Sequence, residues 1–418
     1  MIDQLSLSLY RCLTFLFFPF SKLVIKWRIK TGKEHAIRWR EKLGEPSVEK
    51  PSGKLIWLHA VGLGEVLALR GLILELHKKE RNLNFLVTSS TVLSAEVFEK
   101  NIPPKTIHQF LPYDVKIYGY RFLRHWKPDL VIWSEQDVWP GLSCQASNFG
   151  IKQVLVNGKI RQESFSRRVK IKPLHRVVYK NFEFISTQDL YSKNFYQKLG
   201  ASCIIRTDGS LKPHCPPLLF DRKKLKIIKR AISYKSVWVV GSSFLEDEKI
   251  AIYTQKLLKE RNIRKLLVLV PRFPDRLDEI LNSLNDFEVK VHSRGETPDV
   301  KTDIFIVDSI GELGLWYKAS EVALIGGTFS NMEGKNPWEA LHLDCVITFG
   351  PRHLKFNDDF KLLKKLKLAH QINSAQELFK ILSRKDQIPF SNGIKELKKK
   401  LNKDINSLTE ELLSLINN

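Results

Sequence analysis

The chain has few cysteines and none of the cysteine spacings that build a fold. Its five cysteines among 418 residues are odd in number, lie far apart and never form a C-x-x-C motif. That usage argues against a disulfide framework or a structural zinc site, and it favours a reducing compartment. An RNP-like aromatic strand and a long basic helix with heptads are also missing, so we expect no nucleic-acid partner.

Acidic residues are too few to balance the basic ones. The chain has 68 lysines and arginines against 45 aspartates and glutamates, a net charge of +23. Such an excess predicts an anionic partner, but charge by itself does not choose between an anionic membrane surface, a phosphorylated substrate and nucleic acid. The length and the 43% hydrophobic content predict more than one domain, with large cores.

The N-terminal segment lacks an uninterrupted apolar run long enough to cross a membrane. Residues 5–27 are apolar, but Arg11, Pro19 and Lys22 interrupt them, and the longest clean part falls far short of roughly 20 residues. A small-residue cleavage site is also absent. Dense cations follow, as is typical of an anchor on an anionic leaflet with its positive flank in the cytoplasm. We expect residues 1–30 to contact anionic membrane lipids, either spanning the bilayer or lying at its surface; the alternative is a buried first helix.

The rest of the chain alternates short β-branched runs with helical stretches, which predicts parallel sheets built from βαβ units. Five predicted strands precede a proline-rich segment, and six follow it. We therefore expect an α/β fold of two Rossmann-like, doubly wound domains facing a cleft. The predicted parts are a membrane-associated helix at 1–30, a first domain at 31–208, a linker at 209–220, a second domain at 221–390 and a helical tail at 391–418.

The stretch HAVGLGEV places a carboxylate directly after a predicted strand. Gly62 and Gly64 permit a tight turn into a helix, and Glu65 then lies in the first helical turn. The positive helix end favours an ionised carboxylate, which at the carboxyl edge of a parallel sheet could act as a general base. The alternative is that Glu65 only stabilises the helix start.

Two further segments of the first half carry candidate groups. VIWSEQDVWP again sets a carboxylate, Glu135, directly after a strand, and GSLKP sets Lys212 in the linker. Between them, Asn157 and the basic residues of 159–168 follow another strand. They form either an anion site or a solvated basic face.

The second half combines several features that bind nucleotides. Arg272 follows a strand, where a guanidinium could grip phosphate. Gly311 and Glu312 begin a helix whose free N–H groups suit an anion. A glycine loop leads to Asn336, a predicted helix cap, and to Glu339, which could accept ribose hydroxyls or form a capping box with Asn336.

In order and spacing, these motifs resemble the Kdo transferases, the 3-deoxy-D-manno-octulosonic acid transferases of lipopolysaccharide synthesis. The matching region extends from about Arg38 to Pro351. The matching pieces are RWREKLG, WLHAVGLGE, PYD, EQDVWP, NGKIRQES, GSLK, PRFPDR, GEL and GGTFSNMEGKNPWEA.

The resemblance implies a GT-B fold, no cofactor or metal in the site, CMP-Kdo as donor, and a lipid A precursor as acceptor bound by the first domain. It also implies attachment to the cytoplasmic face of the bacterial inner membrane. Glu65 would be the base, and Glu135 and Lys212 would stabilise the transition state. The implied CMP contacts are Pro271, Arg272, Ile310, Gly311, Glu312, Asn336, Pro337, Trp338 and Glu339.

The chain departs from the family pattern at four positions. Gly62 replaces a usual serine, and Phe244, Phe273 and Lys335 replace usual histidines. The implied catalytic residues are intact, so we expect activity. The alternatives are a GT-B enzyme with another nucleotide sugar, which would not need this motif set, and a non-catalytic basic membrane-binding protein, which would not need strand-end carboxylates. The number of Kdo units transferred and the oligomeric state stay open.

Overall fold

The protein forms two compact units. The computed structural model describes residues 2–135, 137–233, 235–384 and 391–417. Unit 1 comprises Met1–Cys215 and Leu401–Asn418, and unit 2 comprises Pro216–Lys400. The first division in the chain thus lies inside the proline-rich segment, and the N-terminal helices and the end of the C-terminal helix are grouped with unit 1.

Unit 1 contains a parallel sheet wound outward from its centre. Its strands are β1 (Leu55–His59), β2 (Asn84–Ser89), β3 (Thr106–Phe110), β4 (Leu130–Ser134), β5 (Lys152–Gly158), β6 (Phe184–Thr187) and β7 (Ile204–Thr207). They are ordered β3-β2-β1-β4-β5-β6-β7, and all pairs are parallel. The winding direction reverses between β1 and β4, and a ligand crevice opens at such a switch point, beyond the carboxyl ends of the strands.

Helices cover both faces of this sheet. They are α1 (Ile2–Phe17), α2 (Ser21–Lys30), α3 (Leu63–Lys79), α4 (Val92–Glu99), α5 (Lys116–Trp126), α6 (Pro140–Asn148), α7 (Gln162–Val169), α8 (Lys172–Tyr179) and α9 (Leu190–Lys198). Alternate residues of β1 enter opposite cores: Ile56 and Leu58 pack with Leu72, and Trp57 packs with Trp133. Burial on both faces explains why the central strands are continuously apolar.

Unit 2 repeats the architecture. Its strands are β8 (Ser236–Ser243), β9 (Lys265–Pro271), β10 (Val289–Val291), β11 (Ile304–Ile306), β12 (Val322–Ile325), β13 (Val346–Phe349) and β14 (Ala369–Gln371). They form a parallel sheet in the order β10-β11-β9-β8-β12-β13-β14. The switch point of this sheet lies between β8 and β12.

The helices of unit 2 follow the same alternation. They are α10 (Arg222–Ala231), α11 (Leu245–Glu260), α12 (Leu277–Leu281), α13 (Leu313–Ala319), α14 (Trp338–Leu341), α15 (Asn357–Lys365) and α16 (Ala375–Leu382). The last helix, α17 (Ser391–Asn417), crosses the second division of the chain, after Lys400. Trp238 of β8 and Leu267 of β9 lie in the core of this unit.

The N-terminal segment is helical, apolar and only partly covered. Leu7 is buried, the Tyr10 hydroxyl donates to Asp114 at 2.7 Å, and Ile25 packs with Tyr118. The opposite side exposes a row of large apolar side chains: Ile2, Leu5, Leu9, Leu13, Phe15, Leu16, Phe20, Leu23 and Trp27. By length and composition alone, Ile2–Lys30 is a candidate for crossing a membrane, because an 18-residue window within it has a mean hydropathy of 1.3. The predicted apolar N-terminal helix is therefore confirmed.

Candidate functional site

Glu65 is held by the turn that follows β1. Its Oε2 accepts the backbone N–H groups of Val61 at 3.1 Å and Gly62 at 3.3 Å, so the carboxylate does cap the start of α3. The turn does not use the left-handed freedom of glycine, because neither Gly62 nor Gly64 has a positive φ. A Cβ on Gly62 would, however, touch the Glu65 carboxyl at 3.7 Å, and a Cβ on Gly64 would meet open space. The two glycines thus leave the approach to Glu65 uncovered.

Glu135 lies at the carboxyl end of β4 in a strained backbone conformation. Its φ is +60°, in the left-handed region that non-glycine residues rarely adopt. Three contacts hold it there: its N–H donates to the Val156 carbonyl at 3.0 Å, the Tyr196 hydroxyl donates to its carbonyl at 3.0 Å, and the Asn157 amide donates to Oε1 at 3.4 Å. Strain maintained by surrounding contacts is typical of functional sites.

Asn157 connects Glu135 to the segment that carries Lys212. It also has a left-handed backbone, with φ +57°, and its side chain is buried. While its amide nitrogen faces Glu135, its Oδ1 accepts the N–H of Leu211 at 3.0 Å. The sequence left open whether Asn157 belongs to an anion site or to a solvated basic face. The structure instead gives it the contacts of a bridge between the two groups.

The three predicted catalytic residues come together at the switch point of unit 1. Glu65 and Glu135 follow the adjacent strands β1 and β4, and their side chains lie close enough for the charge of Glu65 to raise the pKa of Glu135. Burial, followed by the charge of Glu65, raises the pKa of Glu135, while the Lys212 ammonium opposes the rise. Two carboxyls in contact retain a proton between them. The arrangement therefore pairs a proton acceptor with a proton donor beside a cation.

Two more residues near this pair were not predicted as site groups. Burial and the Glu65 charge raise the pKa of Asp137 to about 6, and Arg168 opposes the rise. Tyr196, on α9, supports the Glu135 backbone. No sequence signal marks Tyr196, because it lies sixty-one residues from Glu135 in a helix without a motif.

In unit 2, Arg272 is exposed at the carboxyl end of β9. Its N–H donates to the Ser243 carbonyl at 3.0 Å, and its guanidinium carbon lies 6.0 Å from the ring centre of Phe273. Within the described ranges Arg272 forms no ion pair, with Asp275 or any other carboxylate. Pro271 before it is buried in the strand end, so the side chain that can meet an anion is Arg272.

The turn before α13 requires its glycine. Gly311 has a φ of +103°, which strains any other residue. Ile310 is 93% exposed. The Glu312 carboxylate forms an ion pair with Lys224 at 2.9 Å, so Lys224 fixes this side chain at the predicted nucleotide turn.

Asn336 was predicted as the N-cap of α14, but the N-cap is Pro337 and Asn336 precedes it. Its Oδ1 accepts the N–H of Trp338 at 3.2 Å, and its amide donates to the Glu339 carboxyl at 3.4 Å, side chain to side chain. Burial raises the pKa of Glu339 to about 7. The Trp338 ring is fully buried and donates to Asp359, and Pro337 is also buried. Asn336 and Glu339 are thus the partly exposed members of this predicted set.

A buried aspartate that the sequence analysis did not single out shapes the unit 2 switch point. Asp247 accepts N–H groups from Phe244 at 3.0 Å, Gly327 at 2.6 Å and Phe329 at 3.1 Å. It therefore ties the end of β8 to the glycine loop after β12. The sequence feature that could have identified Asp247 is its position three residues after Phe244 at a helix start. This is the spacing of a capping box, here without the usual serine or threonine. Among the residues that the structure describes, no cluster of three or more His, Cys, Asp or Glu could hold a metal ion.

Known proteins resemble the chain in sequence and in fold. The sequence profile described as 3-deoxy-D-manno-octulosonic-acid transferase (kdotransferase) matches residues 37–214. The 3-deoxy-D-manno-octulosonic acid transferase of Rickettsia bellii is 32% identical over 94% of this chain and 93% of its own length. A probable mitochondrial 3-deoxy-D-manno-octulosonic acid transferase of Arabidopsis thaliana is 32% identical over 82% of this chain and 79% of its own length.

The fold agrees with solved glycosyltransferase-like structures. Anabaena Alr3699/HepE, solved with UDP and glucose, aligns with a TM-score of 0.55 over 87% of this chain and 100% of its own, at 10% identity. The glycotransferase of kitacinnamycin aligns with a TM-score of 0.51 over 87% of this chain and 100% of its own, at 12% identity. These likenesses concern the fold alone, which is GT-B. With its fold and its relatives in agreement, the chain is a glycosyltransferase and belongs to the 3-deoxy-D-manno-octulosonic acid transferase family.

Proposed function

We propose that the protein transfers Kdo from CMP-Kdo to a lipid A precursor, with inversion, at the cytoplasmic face of the bacterial inner membrane. The observation that carries the proposal is the pairing of Glu65 and Glu135, at the ends of the adjacent strands β1 and β4, beside Lys212 at the switch point of unit 1. Family membership supports the identity of the transferred sugar. The donor, the acceptor and the residue roles are our proposal.

In this mechanism Glu65 is the general base. It removes the proton from an acceptor hydroxyl while that oxygen attacks C2 of Kdo from the face opposite the phosphate. The bond between C2 and the phosphate oxygen breaks, and its electron pair leaves with CMP. The new bond replaces the old one on the other face, so the anomeric centre inverts. The two N–H groups on Oε2 of Glu65 fix the carboxylate for this step.

Glu135 and Lys212 keep Glu65 ready to accept a proton. Protonated Glu135 donates a hydrogen bond to Glu65, which stabilises the Glu65 carboxylate without adding a second charge. The Lys212 ammonium favours negative charge on the pair. A base that is ionised and oriented before the substrate arrives needs little reorganisation in the transition state.

Arg272 and its neighbours in unit 2 are the proposed donor-binding groups. A guanidinium can form paired hydrogen bonds with phosphate, and Arg272 is exposed without a competing ion pair among the described residues. The charge that collects on CMP as it leaves would be stabilised there. In this proposal the negative charge of the leaving group is met by side chains, and no metal is assigned.

The N-terminal helices are the proposed membrane contact. Their exposed apolar row can enter the interfacial region of a bilayer, and the basic residues that follow suit anionic headgroups. Tyr10 and Ile25 attach the same helices to unit 1. These contacts favour a helix lying at the surface over one that crosses the bilayer.

Incubation of the full chain with CMP-Kdo and a lipid A precursor, followed by mass spectrometry, tests the proposal. We expect a product heavier by one or more Kdo units, and no product with UDP-glucose. The Glu65→Gln protein should form little product under the same conditions. A product only with another nucleotide sugar would refute the donor, and no binding of CMP would refute the donor site.

A further inference from the structure

Four side chains form a continuous cluster at the switch point of unit 2. Arg272 lies over Phe273 at 6.0 Å, Phe273 meets Phe244 edge to face at 5.9 Å, and the Lys335 ammonium lies 5.1 Å from the Phe244 ring centre. Arg272 follows β9, Phe244 follows β8, and Lys335 lies in the loop after β12. Because β9, β8 and β12 are neighbours in the sheet, the cluster occupies the edge where a doubly wound sheet binds its ligand.

The cluster carries two cations and no internal counter-charge. Neither Arg272 nor Lys335 forms an ion pair within the described part of the chain. Burial, and then the charges of Arg272 and Lys355, lower the pKa of Lys335, while Glu339 and Asp247 oppose this. Asp247 is occupied by three backbone N–H groups. Glu339 also lies near Lys335 but accepts a hydrogen bond from Asn336. Neither cation has an ion-pair partner among the described residues, and two such neighbouring cations suit a dianionic ligand.

Each cation of the cluster packs against one of the two aromatic rings. Phe244 is 8% exposed and lies beneath the Lys335 ammonium, and a cation over an aromatic face is attracted to it while keeping donors free for a ligand. Phe273 is 48% exposed, which gives the ligand an apolar surface between the two charges. Histidine in place of Lys335 would lack a permanent charge, and histidine in place of Phe244 or Phe273 would lack this apolar surface.

We propose that Lys335 binds the carboxylate of the transferred sugar while Arg272 binds the phosphate of the nucleotide. This inference rests on the proposed function. In an activated 2-ulosonic acid the C2 carbon bears both the C1 carboxylate and the phosphate, so the two anions are separated by only a few bonds. Arg272 and Lys335 lie close enough for the charge of one to act on the other, so one ligand with two anions can engage both, and sugar donors without the carboxylate lack the second anion. Lys335 is therefore a specificity-determining residue for a carboxylated sugar.

The test compares CMP, which has only the phosphate, with CMP-Kdo, which has both anions. For Lys335→Gln we expect the KM for CMP-Kdo to rise roughly 10- to 150-fold, the range of one lost charge-assisted hydrogen bond. The inhibition constant of CMP should change less than about twofold. Lys335→Arg should restore most of the donor affinity, because it keeps the charge. Arg272→Gln should weaken CMP and CMP-Kdo alike.

Lys355→Gln is the matched control. Lys355 is exposed, contributes charge near Lys335 and donates to the Met332 carbonyl at 2.7 Å. We expect its KM for CMP-Kdo to stay within about threefold of wild type, because exposed charges are screened. An equal loss for CMP and CMP-Kdo in Lys335→Gln, or no loss for either, would overturn the carboxylate subsite. A wild-type protein that binds neither would refute the donor site itself, and the subsite with it.

Discussion

Replacing Glu65 with glutamine separates its proposed chemical role from its structural one. The side-chain oxygen of glutamine can still accept the N–H groups of Val61 and Gly62, which Glu65 accepts at 3.1 and 3.3 Å. Its amide can also donate to Glu135. The turn after β1 should therefore stay intact, and what the variant loses is a group that accepts a proton.

The two roles predict effects of very different size. A positioned base contributes about 10²–10⁴-fold to the rate, so the turnover of Glu65→Gln should fall by at least about 10²-fold. The lost attraction between a carboxylate and the helix dipole amounts to about 0.3–1 kcal/mol, and losing repulsion from Glu135 offsets part of it. For a unit of this size that corresponds to a fall in Tm of at most about 2–4 °C.

Turnover is measured with saturating CMP-Kdo and a lipid A precursor, and stability by thermal unfolding. Glu75→Gln is the control, because Glu75 lies on the same helix, α3, and pairs with Lys78 away from the strand end. It should keep wild-type turnover. Near-wild-type turnover in Glu65→Gln would refute Glu65 as base. A large fall in Tm that accounts for the lost activity would show that Glu65 acts through helix capping.

Three other variants test separate parts of the protein. Burial and the charge of Glu65 raise the pKa of Glu135 from 4.5 to about 7 in the folded chain, so the wild-type protein loses stability as the pH rises through that window. Between about pH 4.5 and 8 the Tm of Glu135→Gln should therefore rise relative to the Tm of wild type. A Tm difference that does not change with pH would contradict this. Arg272→Ala should weaken CMP binding about 10- to 150-fold in calorimetric titration. Its Tm should change little, because Arg272 has no ion pair to lose among the described residues. Unchanged CMP affinity would show that Arg272 is not part of the donor site. Replacing exposed Phe15 and Leu16 with serine should reduce flotation with anionic vesicles while preserving Tm, and undiminished flotation would place the membrane contact elsewhere.

The sequence predicted the central strands and missed strands at the sheet edges. β1, β4, β8 and β9 are buried on both faces, so their apolar runs are unmistakable. The three strands that went unpredicted are β3, β7 and β14, and each is the last strand on its side of a sheet. Edge strands are shorter and half-exposed; β7, for example, has no buried residue. Its sequence cannot be told from a loop by hydrophobic pattern.

Motifs identified single site residues, but the sequence did not predict the contacts that organise them. Glu65 and Glu135 were recognisable because each follows an apolar strand. Asn157 contacts Glu135 and Leu211, which lie 22 and 54 positions from it in the chain. These segments come together only through the order of the strands in the sheet, which the motifs do not reveal. The glycines of the Glu65 turn were assigned a backbone role because glycine usually has one, whereas here their missing side chains leave space beside a carboxylate.

Three left-handed residues lie at the carboxyl edges of the two sheets. Glu135, Asn157 and Ser242 have φ values of +60°, +57° and +57°, and they lie at or near the carboxyl ends of β4, β5 and β8. Each such residue costs about 1–3 kcal/mol unless neighbouring contacts determine it. For Glu135 those contacts come from β5 and α9, both parts of unit 1. The carboxyl pair is thus oriented by the fold of unit 1 itself, and substrate binding need not create it.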